Sequence, residues 1–423
     1  MKKNSTKTIS IIGLGYVGLP LAIEFSRKFN VVGFDKNQKR IIELKKNIDV
    51  TSEVSKKELR KTSINFTYNE KDLQNTDVFI ITVPTPVDKL KNPDLRNLAS
   101  ASKLVGSLLK KNNLVIYEST VYPGATEEFC IPILEKESGL SINKEFYCGY
   151  SPERVNPGDK KHKITDILKL TSGSNPKALR LVDNLYKKII KAGTYQAKSI
   201  KIAEAAKIIE NTQRDLNIAL VNELSIIFNK MNLDTKSIID AASTKWNFNK
   251  FSPGLVGGHC IGVDPYYLTY KAKKIGYSPE IILSGRSLND NMHKFVAREI
   301  ISLMKSKDID CKNSHILILG ATFKENCPDV RNSKVFDLIN FLDKKVNTVE
   351  CFDPLISHKD MASFNINWLK KLRKTKKYDV LVLAVPHKEF LSKDLEIMKL
   401  KKTSGIIYDL KSCLPINKSD GRL

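Results

Sequence analysis

A chain of 423 residues exceeds what one ordinary hydrophobic core supports and predicts two or three domains. Its hydrophobic share of 41% and charged share of 27% are those of a soluble globular protein, and no stretch approaches the roughly 20 apolar residues of a membrane span. The formal charge of +24 raises nucleic-acid binding, but the lysines lie in scattered doublets such as Lys45-Lys46, Lys110-Lys111 and Lys376-Lys377, so they read as a solvated surface whose field favours anionic ligands.

The basic N-terminus ahead of an apolar run mimics a secretory leader. The run is broken by glycines and leads into a Gly-rich turn, so it is read as the first strand of a cytoplasmic protein. That strand is Thr8–Ile12, followed by a helix over 17–28 and a second strand over 31–34; apolar runs at 78–83 and Leu114–Tyr117 continue the rhythm. Strands alternating with helices predict a parallel, doubly wound sheet. From 199 to 232 there is no Gly or Pro, and Ile202, Ala205, Ala206, Ile209, Leu216, Ala219 and Leu220 recur at helical spacing. This predicts one long helix, apolar on more than one face and buried against more than one neighbour. Helices follow at Thr235–Ala242 and 266–274, and another begins near Pro279. After Ser314 the alternation returns, with a strand in HILILGATF, a helix over 335–343 and a strand in TVECFDP. VVGFDKN is echoed by VECFDPL, and DVFIITVPTP by DVLVLAVPHK, each a strand ending in a turn. The predicted fold class is α/β: two Rossmann-like doubly wound domains, 1–198 and 306–423, joined by a long central helix and helical segment, 199–305.

Gly13-Leu14-Gly15-Tyr16-Val17-Gly18 is a GxGxxG that follows a strand, opens a helix and precedes a second strand ending at Asp35. Its glycines suit a tight turn, approach of a pyrophosphate and close helix–strand packing, with the helix N-terminus facing the phosphates. A carboxylate at Asp35 accepts the ribose hydroxyls and repels a 2′-phosphate, which predicts NAD rather than NADP. Lys36, Lys39 and Arg40 oppose that exclusion, and Arg40 is among the expected cofactor contacts. Val83-Pro84-Thr85-Pro86 and Glu118-Ser119-Thr120 close strands at the carboxyl edge where ligands sit. Thr85 and Thr120 are read equally well as cofactor contacts or as ordinary caps and turns.

Seven cysteines without a CxxC, and six histidines without an HExxH, argue against a disulfide framework and a metal site. Cys148 and Cys351 lie in strand-like runs and read as buried and inert. Cys260 differs, because the stretch from Phe251 to Pro265 around it holds four glycines and two prolines. Such a loop lets backbone N–H groups approach an anionic ligand, and a cysteine beside it at the start of a helix is a candidate low-pKa thiol, although an isolated cysteine is more often structural.

GLGYVGLP, VPTP, EST-x-x-PG, SPERVNPGD, AEAAKIIENTQRDLNIALVNEL, GGHCIGVDPYYL and GATFKENCPDVRNS occur in that order and together resemble the UDP-glucose/GDP-mannose dehydrogenase family over nearly the whole chain. The likeness is greatest to the Vi-antigen-type branch that oxidises UDP-N-acetylhexosamines. The resemblance implies NAD-dependent, four-electron oxidation of the C6 alcohol of such a sugar, gluco or galacto, to the uronic acid for surface polysaccharide. It makes Cys260 the nucleophile of a thiohemiacetal and then a thioester. Lys207 and Asn211, one turn apart on the long helix, would meet the reacting oxygen, and Asp264, Glu153 and Thr120 would position or activate water. The implied substrate contacts are Glu153, Arg154, Val155, Lys207, Asn211, Arg214, the loop with Phe251, Gly254 and Gly257, and Lys324, with Arg331 near the cofactor. NAD falls to residues 1–198, the catalytic loop and a homodimer contact to 199–305, and the uridine diphosphate to 306–423, which has only Gly320 after its first strand. No nucleic acid, membrane or metal is among the implied partners. The family arginine that reaches into the partner subunit's site is absent from 244–250, where Lys245 or Lys250 offers only a point charge.

The rival readings are a UDP-glucose 6-dehydrogenase, a two-electron hydroxyacid-type dehydrogenase with no use for Cys260, and a catalytically silent nucleotide sensor. Tyr267-x-x-x-Lys271 also mimics a short-chain dehydrogenase pair, but far outside the first nucleotide domain.

Overall fold

The computed structural model describes residues 7–155, 163–373, 375–392 and 394–423. The chain divides into two compact units, one of residues 1–210 with 266–278 and one of 211–265 with 279–423. The second half of SPERVNPGD, from Asn156 onward, lies outside the described residues.

The sheet of the first unit contains β1 Thr8–Ile12, β2 Asn30–Phe34, β3 Asn65–Thr67, β4 Val78–Ile81, β5 Leu114–Tyr117, β6 Tyr147–Tyr150, β7 Lys169–Gly173 and β8 Thr194–Gln196. Their order is β3-β2-β1-β4-β5-β6-β7-β8, and β7 runs antiparallel to β6 while the other neighbours are parallel. From β3 to β6 this is the doubly wound dinucleotide order, which reverses between β1 and β4 and opens the ligand crevice there. All four residues of β4 and of β5 are buried. Both faces of the sheet are covered, so these strands read as continuous apolar runs instead of alternating.

In the second unit β9 His315–Leu319, β10 Thr348–Phe352, β11 Asn367–Trp368, β12 Tyr378–Leu383, β13 Lys401–Asp409 and β14 Gly421–Arg422 form a parallel sheet in the order β11-β10-β9-β12-β13-β14. Successive side chains alternate between two cores. Ile316, Ile318, Val380, Val382 and Ile406 enter one, and Leu317, Leu319, Leu381, Leu383 and Ile407 the other. Each such side chain, fully buried, stabilises the fold by roughly 1.5–3 kcal/mol.

The two halves repeat each other at the level of hydrogen bonds. The Gly13 amide donates to the Phe34 carbonyl at 2.8 Å and the Gly320 amide to the Phe352 carbonyl at 2.9 Å. Asp35 accepts from the amides of Leu14 and Asn37, and Asp353 from those of Ala321, Thr322 and Leu355. The echoed segments therefore occupy matching places in their sheets.

The long helix runs Ile200–Lys230. Ala203, Ile208, Ala219 and Val221 are buried, but Ile202, Ile209, Leu220 and Ile227 are exposed, Ile209 and Leu220 by 55% each. The expected burial of Ile202, Ile209 and Leu220 is corrected accordingly. The covered side of the helix instead takes polar groups, Glu204, Lys207, Asn211, Asp215 and Asn222, leaving an apolar stripe in solvent. Among the described residues no helix is long and apolar enough to cross a membrane.

Candidate active site

In the first unit the glycine motif forms the turn between β1 and the helix Gly18–Ser26. Gly13 has φ +98°, a conformation that side chains rarely adopt, at the turn out of β1. A Cβ on Gly18 would lie 1.9 Å from the Gly13 carbonyl oxygen and 2.5 Å from Thr82 Oγ1, so the helix Gly18–Ser26 packs on the strand ends only without a side chain. A Cβ on Gly15 would meet nothing within 4 Å. Gly15 thus faces open space at the N-terminus of a helix whose Val17 N-cap makes no side-chain hydrogen bond. The open space at Gly15 and the helix N-terminus behind it fit a pyrophosphate. Tyr16 is half-buried beside them.

Asp35 closes β2, and its two carboxylate oxygens take the Leu14 and Asn37 amides at 2.9 Å. Arg40 is buried. Its Nε donates to the Leu14 carbonyl at 2.9 Å and its guanidinium pairs with Asp49 at 2.8 Å, so it braces the glycine turn from below. Lys36 and Lys39 point outward, to Asn97 Oδ1 at 3.1 Å and to Glu43 at 3.8 Å.

The strand ends meet at Thr85, whose hydroxyl donates to the Thr120 carbonyl at 2.6 Å. Tyr267 donates its hydroxyl to the Thr85 carbonyl, and Lys271 pairs with Glu128 at 2.6 Å. Both members of the short-chain dehydrogenase look-alike are thereby engaged elsewhere. Glu153 is 9% exposed, and its Oε1 accepts the amides of Arg154 at 2.7 Å and Val155 at 2.5 Å. Its Oε2 is buried with no hydrogen-bond partner among the described residues, an arrangement that costs roughly 1–3 kcal/mol unless a ligand or water completes it. Arg154 pairs with Glu210 at 2.8 Å. Lys207 is 8% exposed on the long helix.

In the second unit Cys260 sits, half-buried, in the turn leading into the helix Asp264–Lys274, and its carbonyl accepts the Asp264 amide at 2.8 Å. Asp264 is buried, with Oδ2 accepting from Asn211 Nδ2 at 2.5 Å. The structure therefore joins the side chains of Asp264 and Asn211, with Cys260 one turn ahead of Asp264 in the chain. Arg214 is exposed, farther along the long helix. The loop before Cys260 is pressed against the 323–333 segment: a Cβ on Gly257 would lie 2.6 Å from the Asn332 carbonyl, and one on Gly258 2.7 Å from the Phe323 ring. Phe251 is half-buried and Gly254 buried. Lys250 pairs with Asp240 at 2.6 Å, both exposed.

Arg331 forms a fork with Asp329, at 2.6 Å for the shortest contact, and its NH2 lies 3.1 Å from His259 Nδ1, next to Cys260. Burial pushes the Asp329 carboxyl up, but the Arg331 hydrogen bonds and charge outweigh it and hold the carboxyl below its ordinary value. Lys324 is half-buried, and its carbonyl accepts from Thr322 Oγ1 at 2.9 Å.

Sequence reasoning missed the residues that hold these loops. Asn222, buried in the long helix, takes the Gly254 amide at 2.8 Å and returns its own NH2 to the Gly254 carbonyl at 3.1 Å. His387 accepts the Asn326 amide at 3.0 Å on Nδ1, while its Nε2 meets Asp353 at 3.0 Å. The signals were present: an asparagine inside an apolar helical run, and a histidine where the first half has Thr85.

Residues 7–190 match the NAD binding domain of the UDP-glucose/GDP-mannose dehydrogenase family, 201–291 its central domain and 317–416 its UDP binding domain. The chain belongs to this family. It is similar to a Pseudomonas aeruginosa UDP-N-acetyl-D-glucosamine 6-dehydrogenase, 56% identical with 98% of this chain and 99% of the relative covered. The Salmonella typhi protein of the same name is 53% identical, with 98% of each chain covered. The solved UDP-D-ManNAc dehydrogenase of Pyrococcus horikoshii superposes with a TM-score of 0.87 at 30% identity, covering 98% of both chains. As a family member the chain is an NAD-dependent UDP-sugar dehydrogenase, with the nucleotide sugar assigned to its UDP binding domain.

Proposed function

We propose that the protein oxidises C6 of UDP-N-acetyl-D-glucosamine to the carboxylate, supplying an acidic activated sugar for surface polysaccharide. The observation that carries the chemistry is the placement of Cys260. Burial pushes the thiols of Cys130, Cys148 and Cys351 far up, and Cys413 is pushed up to about 11. Cys260 stands half-buried at the end of a glycine loop, one turn before the buried Asp264, whose amide its carbonyl accepts. Two relatives more than half identical to the chain carry the N-acetylglucosamine name.

Residues 1–198 would hold the dinucleotide, with Gly13, Gly15, Tyr16, Val17 and Gly18 around the phosphates, Asp35 at the ribose, Thr85 and Thr120 at the strand ends, and Arg40 bracing the glycine turn from behind. When bound, NAD accepts the hydride removed from C6 in each of the two oxidation steps. The Cys260 sulfur adds to the aldehyde carbon, and the carbonyl oxygen becomes the hydroxyl of a thiohemiacetal. Lys207 stabilises negative charge on that oxygen, with Asn211 beside it. Oxidation leaves a thioester on Cys260. Water, oriented by Asp264, Glu153 and Thr120, then adds to the acyl carbon, the C–S bond breaks and the thiolate is regenerated. Arg154, Val155, Arg214, Phe251, Gly254, Gly257 and Lys324 bind the sugar nucleotide, the last within residues 306–423.

The exposed Leu220 and Ile227, with Ile281 and Trp246 at 77% and 92% exposure, suit a homodimer contact in the 199–305 segment. NAD and sugar nucleotides are cytoplasmic metabolites, and the enzyme acts in that compartment.

The substrate assignment is tested by kcat/KM at saturating NAD for UDP-N-acetylglucosamine, UDP-N-acetylgalactosamine, UDP-glucose and GDP-mannose. A pocket shaped for an acetamido group leaves an unpaired polar group with UDP-glucose, costing about 1–3 kcal/mol. UDP-glucose is therefore expected to be roughly 10–100-fold poorer, and GDP-mannose poorer still. UDP-glucose matching both acetamido sugars would refute the assignment and leave the dehydrogenase chemistry standing.

A further inference from the structure

Beneath the turn that presents Glu153 lies a buried ionic cluster to which no step of the reaction assigns a part. Glu118, at the end of β5, is 1% exposed, Lys169 on β7 3%, and Tyr186 at the end of the helix Pro176–Tyr186 is fully buried. Lys169 Nζ donates to Glu118 Oε2 at 2.9 Å and to the Pro152 carbonyl at 3.0 Å, and the Tyr186 hydroxyl donates to Glu118 Oε1. The ammonium also stands over the Tyr186 ring, 5.1 Å from its centre. The neighbouring contacts converge on the same turn: Ser151 Oγ donates to the Leu170 carbonyl at 2.7 Å and Arg154 NH1 to the Leu168 carbonyl at 2.9 Å.

An ion pair out of contact with water gains little net stability, because desolvation offsets the attraction; an apolar pair of similar volume often does as well. Such a pair tethered to the residue before Glu153 points to a role in placing that carboxylate. We propose that Lys169, held by Glu118 and Tyr186, is a positioning residue for Glu153: it fixes the Pro152 carbonyl and balances the Glu118 charge, so that the unpartnered Oε2 of Glu153 keeps one orientation and does not feel a second bare carboxylate. The proposal rests on the reading that Glu153 acts in the reaction.

Among the described residues of the first unit, the charged and titratable groups around Glu153 include Glu118 and Tyr186, with Lys169 paired to Glu118, and the adjoining Arg154–Glu210 pair. Burial pushes the Glu118 carboxyl up; Lys169 opposes this, and the charge of Glu153 raises it further. The two carboxylates therefore sense each other, and Lys169 is what keeps the buried Glu118 charge in place.

The test is the pH profile of kcat for wild type, Lys169→Met, Lys169→Arg, Glu118→Gln, Glu118→Gln/Lys169→Met and Glu153→Gln, each checked for folding by thermal melting and NAD binding. Lys169→Met is expected to lower kcat by roughly 10²-fold through misplacement; Glu118, buried without its counter-ion, takes up a proton there, so the acid limb keeps its wild-type place. Glu118→Gln, which leaves an unbalanced cation, moves the limb down by about one pH unit. The double variant, neutral at both positions, returns the limb to its wild-type place, and Lys169→Arg retains it. If Lys169→Met does not fold, the downward shift in Glu118→Gln decides. An unshifted limb in folded Glu118→Gln, or a wild-type kcat in folded Lys169→Met, overturns the proposal, provided that Glu153→Gln loses the limb. If Glu153→Gln keeps the wild-type limb, the catalytic reading of Glu153 fails and the proposal falls with it.

Discussion

Cys260→Ser lowers kcat by at least about 10³-fold while the NAD dissociation constant stays within about twofold of wild type. The size of the loss follows from what the thiol does. A serine hydroxyl at neutral pH is a far weaker nucleophile toward an aldehyde, and the oxygen ester that would follow is less readily hydrolysed than a thioester. The spared binding follows from the fold: Cys260 lies in the turn before Asp264 in the second unit, whereas the glycine motif and Asp35 belong to the first. Single-turnover kinetics with a fluorescence titration of NAD check both halves. A serine variant within about tenfold of wild-type kcat would remove the covalent mechanism.

Gly18→Ala and Gly15→Ala, one methyl group each and three residues apart, are expected to fail in opposite ways. The Gly18 methyl would lie 1.9 Å from the Gly13 carbonyl oxygen, so backbone has to move. Overpacking of that kind costs about 3 kcal/mol, or a fall of roughly 6–12 °C in the melting of a unit this size. The Gly15 methyl meets no protein atom within 4 Å, so stability stays within about 0.5 kcal/mol of wild type. It does occupy the space through which a pyrophosphate approaches the helix amides, and NAD affinity drops by tenfold or more, at least about 1.4 kcal/mol. Calorimetry and NAD titration on the two variants separate these outcomes. A Gly15→Ala protein with wild-type NAD affinity would place the phosphates elsewhere.

The sheets were legible because their strands, covered on both faces, are unbroken apolar runs; Thr8–Ile12 and Leu114–Tyr117 emerge with the bounds read from sequence. The GxGxxG was legible because its three glycines answer three separate steric demands within six residues. The long helix was found but its outward face was misjudged. An apolar residue at helical spacing does not say whether its neighbour belongs to the same chain, and Ile209 and Leu220 are exposed. The supports of the candidate site left only single-residue signs, and their partners could not be read, for a different reason. Asn222 reaches Gly254 across 32 residues, His387 reaches Asp353 across 34 and Lys169 reaches Glu118 across 51. Buried polar partners satisfy each other only after the sheets form, and local periodicity carries no trace of such pairings. Arg40 shows the same limit: beside Asp35 in sequence it suggested a cofactor contact, while in the fold its guanidinium turns to Asp49 and the Leu14 carbonyl.

The central claim is a four-electron oxidation completed on one enzyme through Cys260, and the count of NADH per sugar tests it most directly. A limiting, weighed amount of UDP-N-acetylglucosamine is run to completion with excess NAD, with NADH read by absorbance and the sugar product by mass. The account predicts two NADH for each sugar nucleotide consumed and a product heavier by one oxygen and lighter by two hydrogens. One NADH per sugar, with the free aldehyde as final product, would contradict it.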